Sequence, residues 1–491
     1  MADDSQQKTD LIFPSVQDNI IYLRKEFSNT MDLMIRQMTI AGNNVTFVMA
    51  EGMTDSIAIG ETVIKPILMM DDIPEQPYEQ FTFIRDYTMT SVDSTEISNF
   101  KDVKVRIMSG FLIIFIDGVT KALAIGVQGY AKRSIEEPAT EVMEHGSREG
   151  FVETLRVNIS LIRKRIKSTN LCFENMRIGK ESDTEIALCF LKNRVSPKVL
   201  QEVRNRLNKI ELDMLLDSSF LTSFLDGSKF SIFSGVGSTE RPDTLCGKLN
   251  EGRVGIIVDG TPSVLIVPYL FVENFQSFDD YCYRPYYATF LRWLKYASFF
   301  ITIFLPGLYV AVGTFHQELF PTSMLFNIVA SEQRTPFPLL VEALLIHISY
   351  EIMREAGLRL PKPMGHAVSI IGGLVIGDAT VSAGLIGAPM LIVVAITAIS
   401  SFVVPKIYEP AAILRLIFIF AGGWFGIYGL TIGFVLVIVN ISSINPYGIP
   451  FSAPLSPFSF KSLRDVLVRA SWKYLNNRTM NLEEYSEEKT K

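Results

Sequence analysis

The chain has 491 residues, of which 48% are hydrophobic and 20% charged, and its formal net charge is −6. An acidic balance disfavours nucleic acid as a partner. Charged and apolar residues mix up to about residue 285, but charges become sparse from about 290 to 441, so one large soluble region followed by a membrane region is expected rather than a string of soluble domains.

The N-terminus, MADDSQQKTD, lacks the basic segment and apolar core of a cleaved signal, which places the soluble half in the cytoplasm as an expectation. The cysteines at 172, 189, 246 and 282 form no CxxC pair, so reduced thiols and no zinc site are expected. Residues 1–15 read as a disordered N-terminus. From Val16 to about Met38 apolar residues, among them Ile20, Leu23, Phe27, Met31 and Met34, recur at helical spacing. NVTFVMAEGMTD then reads as a buried strand ending in a turn, and SIAIGETVIKPILMM as a helix.

IIFIDGVTKALAIGV (113–127) has the pattern of a hairpin, with two apolar runs around Asp117-Gly118, a dipeptide that suits a type I′ turn. GIIVDGTPSVLIVPYLF (255–271) repeats the device around Asp259-Gly260. Each hairpin is preceded by a strand leaving into a helix, at 47–55 and 188–196. Two related α/β subdomains, at 16–130 and 167–285, are one reading; two chance hairpins are the other. Between them, 131–166 reads as a linker region ending in an amphipathic helix with Phe151, Leu155, Ile159 and Ile162 on its apolar stripe. That helix is either a surface element joining the subdomains or a docking surface for a neighbouring subunit, with Arg148, Glu149 and Arg156 as candidate subunit contacts. The loop SGVGSTERPDTL (234–245) lacks the lysine of a phosphate loop and reads as an exposed connection.

Aromatic and basic residues from Asp279 to Lys295 suit a cytoplasmic membrane interface, with a helix lying on the surface. The first clear span is about 294–315, long enough for a hydrocarbon core of about 30 Å. Pro-interrupted SEQRTPFP (331–338) leads into a long helix carrying Glu342 and His347. Five residues apart, these two point to different faces, and each is expensive in lipid. That helix either lines a polar path or lies at the interface. Spans at 366–386 and 388–404 follow; Gly373 and Gly377 have small-xxx-small spacing, and Asp378 is an acid at membrane depth. The run 411–441 is too long for one upright helix, so a tilt or a break near Gly422-Gly423 is expected. The membrane domain is thus 286–445. The segment 446–491, Pro-rich and then basic, reads as a cytoplasmic C-terminal tail, which requires an even number of crossings. The fold class is an α/β soluble N-terminal region of two similar subdomains followed by an all-α polytopic membrane domain.

The combination SREGFVETLRVNISLIRKRI, GRVGIIVDGTPSVLIVP, FQSFDDYCYRP, RTPFPLLVEALLIHISYEIMREAGLRLPKPMGHAVSIIGGLVIG and PYGIPFSAPLSP resembles the A subunit of GerA-type spore germinant receptors. It departs at Tyr281-Cys282, where paired tyrosines are usual, and at Gly387-Ala388, where a serine is common. The resemblance implies a multi-pass protein of the spore inner membrane that works with a transporter-like B subunit and a lipoprotein C subunit. It further implies a ring of copies conducting cations when germinant binds. Glu342, Arg354, Glu355, Arg359 and Asp378 are then the candidate pore or gating residues; Arg354 and Glu355 equally suit a local charge network with Glu351 and Arg359. A secondary transporter and a non-conducting scaffold are the alternatives. No nucleophile elbow, metal-ligand cluster or phosphate loop points to an enzyme, and no cofactor or metal is implied.

Overall fold

The computed structural model describes residues 10–70, 72–87, 93–129, 138, 141–227, 231–360, 373, 375–458 and 460–475. Residues 1–9, the 366–372 part of the expected 366–386 span, and 476–491 lie outside them. The soluble region holds two five-stranded antiparallel sheets. The first comprises β1 (Leu33–Ile40), β2 (Asn43–Ala50), β3 (Ser94–Ile97), β4 (Phe111–Ile116) and β5 (Ala122–Gly126), in the order β1-β2-β4-β5-β3. The second comprises β6 (Leu171–Ile178), β7 (Thr184–Leu191), β8 (Gly237–Thr239), β9 (Val254–Val258) and β10 (Val264–Val267), in the order β6-β7-β9-β10-β8. The two orders are the same when each strand is matched to its counterpart. The central strands β4 and β9 are buried at every position because helices and loops cover both sheet faces, which is why they read as continuous apolar runs rather than alternating ones.

The duplication extends to individual hydrogen bonds. Helix α1 (Val16–Glu26) opens the first repeat and α2 (Leu155–Arg165) the second. Asp117 Oδ1 accepts from the Val16 N–H at 3.0 Å, and Asp259 Oδ1 from the Leu155 N–H at 2.9 Å, so each hairpin aspartate caps the helix of its own repeat. Asn19 brackets the Phe13 backbone with a bond to its N–H and one to its carbonyl, and Asn158 does the same to Val152. Gly118 and Gly260 donate to Pro14 and Glu153. Chance hairpins would not reproduce this set.

Three local expectations are corrected. The apolar run from Val16 is helical only to Glu26; Leu33–Ile40 is strand β1, whose residues pair one-for-one with β2. The hairpin connections span five residues, and only the glycines, Gly118 (φ 86°) and Gly260 (φ 91°), have positive φ, so neither is a type I′ turn. The helix read as a surface joiner is part of the second repeat: Leu155, Asn158, Ile159, Leu161, Ile162 and Arg163 of α2 are buried. Arg163 reaches back to the first repeat, where its guanidinium holds Asp32 at 2.8 and 2.9 Å.

The helical region begins with α3 (Pro285–Phe315), followed by α4 (Thr322–Glu332), α5 (Leu339–Arg359), α6 (Ala388–Val403) and α7 (Tyr408–Ser443). Among the described residues, two stretches, Pro285–Phe315 and Pro405–Ser443, are long and apolar enough to cross a membrane; Ala388–Val403 is apolar but shorter. Of the residues expected in a helix lying on the surface, 285–295 are instead the first turns of α3, which runs unbroken through Pro306, and Asp279–Cys282 form a separate single turn before it. Helix α7 breaks at Gly426 (φ 60°, ψ −147°), just after the glycine pair that suggested a break. The break is a reversal. A Cβ at Gly433 would lie 2.8 Å from the Phe418 ring, whereas fifteen residues of straight helix would separate them by about 22 Å. Phe304 of α3 touches both limbs, with ring centroids 4.4 Å from Phe418 and 5.5 Å from Phe434.

The described part of the C-terminal segment, 446–458 and 460–475, is not a free tail. Tyr447, Ile449, Ala453 and Val466 are buried in the core of the second repeat, and the Tyr447 hydroxyl donates to the Leu225 carbonyl at 3.0 Å.

Close backbone approach between α3 and α7 is the tightest glycine contact among the described residues of the helical region. A Cβ on Gly422 would meet the Gly307 carbonyl oxygen at 2.3 Å, and neither backbone can give way cheaply. Gly422→Ala is expected to lower the Tm of the detergent-solubilised chain by several degrees and to broaden its size-exclusion peak. Gly60→Ala, where a Cβ meets nothing within 4 Å, should leave both unchanged or raise Tm slightly.

Candidate functional site

Pro338 sits at the N-cap of α5 and fixes where the helix starts. From there Leu339, Glu342, Ala343, Ile346, His347 and Tyr350 are buried at helical spacing, while Val341, Leu345, Ile348 and Ile352 are exposed. Down to Ile352 the outward face is thus apolar, while the buried face carries Glu342, His347 and Tyr350 among Leu339, Ala343 and Ile346, the pattern of a helix that shields polar groups from lipid. Glu342 and His347, which spacing alone sends to different faces, share this broad buried side.

At the upper end, Glu342 is 1% exposed; its Oε1 accepts from the Gly387 N–H, which leads into α6. Glu332 at the end of α4 stands close by and takes a hydrogen bond from the Tyr309 hydroxyl at 3.4 Å. One turn further down, His347 Nδ1 is 2.8 Å from the Ala343 carbonyl. At the lower end, Glu351 accepts from the Tyr408 hydroxyl at 2.8 Å and from the buried Arg415 guanidinium, both on the rising limb of α7. Arg354 lies 3.8 Å from Glu351, with its guanidinium 3.4 Å from the centre of the Tyr408 ring. Among the described residues, five buried polar atoms along this face have no hydrogen-bond partner: Glu342 Oε2, His347 Nε2, Tyr350 OH, and Arg415 Nε and Nη1. Buried polar groups are normally satisfied, so their concentration on the buried face of α5 and on Arg415 of α7 marks a place built for something polar.

The structure therefore brings Glu342 and Arg354 onto one wall, with Glu351 between Arg354 and Arg415. Glu355 and Arg359 instead form an exposed i,i+4 pair at 2.6 Å, and Asp378 is exposed in a π-helical turn, Val375–Ala379. In the soluble region Glu149 is held by Lys164 (3.0 Å) and Arg165 (2.6 Å), while Arg156 bridges Glu51 (2.8 Å) and Glu185 (2.7 Å); Arg148 is exposed. Arg415 and Tyr408 are the participants that the sequence pattern passed over. A single arginine inside the apolar 411–441 run was the available signal. An apolar cleft of about 270 Å³ beside Phe304, Phe418 and Phe434 is separate from this polar wall.

Below the helices an ionic layer joins them to the second repeat. Lys406 pairs with Glu141 at 2.8 Å, and Glu273 lies fully buried between Lys248 (2.6 Å) and Arg253. Burial alone would raise the Glu273 carboxyl above its ordinary range, but the charges of Arg253 and Lys248 outweigh it and hold the carboxyl low. The same balance, set by Lys406, holds Glu141 low.

Removing an acceptor from buried Arg415 should cost more than removing an exposed acid. Glu351→Gln is expected to destabilise the chain by about 1–3 kcal/mol through the weakened charge-assisted bond, and Glu355→Gln by less than about 0.5 kcal/mol. Paired thermal melts of the two variants check this.

The comparisons with known proteins follow the whole chain. The family model described as Bacillus/Clostridium GerA spore germination protein matches residues 21–481. "Spore germination protein KA" of Bacillus subtilis (strain 168) is 40% identical over 467 residues, covering 94% of this chain and 86% of that protein. "Spore germination protein GerLA" of Bacillus cereus is 33% identical, covering 93% of each. The crystal structure of the N-terminal domain of the A subunit of the Bacillus megaterium spore germinant receptor GerK3 matches 53% of this chain and 97% of that one, at 27% identity and a TM-score of 0.42. A family match over nearly the full length, with relatives above 30% identity along it, makes this chain a member of the GerA family of spore germination proteins.

Proposed function

We propose that the chain is the A-type membrane subunit of a nutrient germinant receptor and that copies of it assemble around an ion pathway which opens when germinant binds. The observation that carries this reading is the inward polar wall of α5, set in a region whose outward surface is apolar. A wall of that kind is costly in lipid unless water, ions or other polar groups meet it. Membership of the GerA family supports the role in germination. The partners are a transporter-like B subunit and a lipoprotein C subunit, and the site of action is the spore inner membrane with the N-terminal region in the cytoplasm. Glu342 and Arg354 are the strongest gating candidates on this reading; Glu355, Arg359 and Asp378 act only if the assembled form covers them. Arg148 is the contact residue free to meet a neighbouring copy, since Glu149 and Arg156 are engaged within the chain.

Gating is a population shift. Taking the assembly from 1:99 to 99:1 open requires germinant to favour the open form by about 5.5 kcal/mol. The test is potassium release from proteoliposomes holding the chain with its B and C partners, read by an ion-selective electrode. A panel of small nutrients is expected to trigger rapid release, and Glu342→Leu to reduce the rate by about tenfold or more. Absence of triggered release from vesicles that contain all three subunits would contradict the channel.

A further inference from the structure

The carboxyl groups of Glu332 and Glu342 lie within electrostatic reach of each other in the helical region, and neither has a basic partner among the described residues. They sit where three elements meet: the end of α4, the first turns of α5 and the turn into α6. Glu342 is 1% exposed and spends Oε1 on the Gly387 N–H, which leaves Oε2 buried with no partner among the described residues. The Tyr309 hydroxyl, on α3, is bonded to Glu332. The Ser331 hydroxyl belongs to the same cluster: a Cβ built on Gly387 would lie 3.1 Å from Ser331 Oγ and 3.3 Å from Glu342 Oε1, so hydroxyl and carboxylate flank one point. Helix α4 ends here and adds the partial negative charge of its C-terminus.

Two carboxyl groups within electrostatic reach of each other, a helix C-terminus and two hydroxyl oxygens make an oxygen-rich cluster of negative potential. Left alone it is unfavourable, because like charges repel and a buried carboxylate oxygen without a partner forfeits its solvation. We propose that this cluster binds an alkali cation, K⁺ or Na⁺, through Glu342 Oε2 and Glu332, with the Ser331 and Tyr309 oxygens completing its shell. The proposal deepens the ion-pathway reading and rests on it for its biological sense, but the binding itself needs no conduction. A divalent ion fits less well. Calcium takes six to eight oxygens, often several of them carboxylate, and magnesium demands octahedral geometry; here one of four carboxylate oxygens is already used by a backbone N–H. A side chain at Gly387 would crowd Ser331 Oγ and Glu342 Oε1.

The test is the Tm of the full-length chain in nanodiscs, titrated with KCl or NaCl against choline chloride at constant ionic strength and pH. Saturable stabilisation by the alkali salt is expected, with its half-saturating concentration raised by about tenfold or more in Glu342→Gln and in Glu332→Gln. Glu61→Gln, an exposed acid of the soluble region, should keep the wild-type midpoint. Should Glu342→Gln fail to fold, Glu342→Asp takes its place and the same rise in midpoint is expected. Identical melts in choline and alkali salt overturn the site, as does stabilisation whose midpoint survives both substitutions, or a response to pH alone, which would mean a shared proton instead. A chain that binds K⁺ yet releases none from proteoliposomes keeps the site and loses the channel. Triggered release without saturable stabilisation keeps the channel and loses the site.

Discussion

The architecture depends on a buried guanidinium at the foot of the first apolar helix. Arg292 has no exposed surface and bonds Asp280 at 3.0 Å and Asp465 at 3.1 Å, together with the Asp465 carbonyl. Asp280 ends the second repeat, Arg292 begins α3, and Asp465 lies beyond the last helix. Lys295 adds a second cation to Asp280 at 2.9 Å, while the Tyr281 hydroxyl and Gln276 amide hold Asp465 from the repeat side at 2.9 Å each. Buried charges are tolerated only when paired and hydrogen-bonded, and removing one member of such a set costs about 3–5 kcal/mol. The network therefore ties three parts of the chain to one another, and loss of any one charged member leaves its buried partners short of a counter-charge.

That fastening constrains everything above it. The chain enters and leaves the helical region at the same face, so in the proposed membrane arrangement the number of passages between them is even. Helix α3 ends at Phe315 beside Gly426, where α7 reverses. Each limb of α7 is about 25–27 Å long at 1.5 Å per residue, close to the thickness of a hydrocarbon core. Helix α5 runs the other way, with Leu339 against Gly313 near the top and Glu351 against Tyr408 near the bottom. Its polar wall thus extends from the far end of α3 down to the level of the ionic layer, where Lys406 meets Glu141. Lys406, paired with Glu141, stands two residues before Tyr408, which with Arg415 holds Glu351 at the lower end of the wall.

Much of the soluble fold was legible because its cues are local. Asp-Gly between two apolar runs marks a hairpin whatever surrounds it, and two such hairpins with matching flanks revealed the repeat. The caps made by Asp117 and Asp259 were not legible, since each acts on a helix about a hundred residues earlier. Leu33–Ile40 was misread because Met31, Leu33, Met34 and Met38 satisfy a helical period and a half-buried strand equally well. In the helical region, an acid and a histidine among aliphatic residues pointed to α5 without structure. Their partners did not: Arg415 is 64 residues from Glu351, and no spacing rule links them. The reversal in α7 needed the φ of Gly426, and three other glycines nearby made the position ambiguous. The packing of 446–475 was hidden by its composition, which has the prolines and basic residues of a free tail.

The central claim is that the soluble repeats and the C-terminal segment share one side of the membrane while the α3 end and the α7 reversal occupy the other. Sealed vesicles of known orientation carrying the full chain test it with an impermeant thiol reagent, using variants with one cysteine each. Cys282, exposed at the foot of α3, and a cysteine in place of exposed Trp472 should label from the same side, and one in place of exposed Tyr428 only from the opposite side. Labelling of positions 282 and 428 from one side, or of 282 and 472 from opposite sides, would contradict the account.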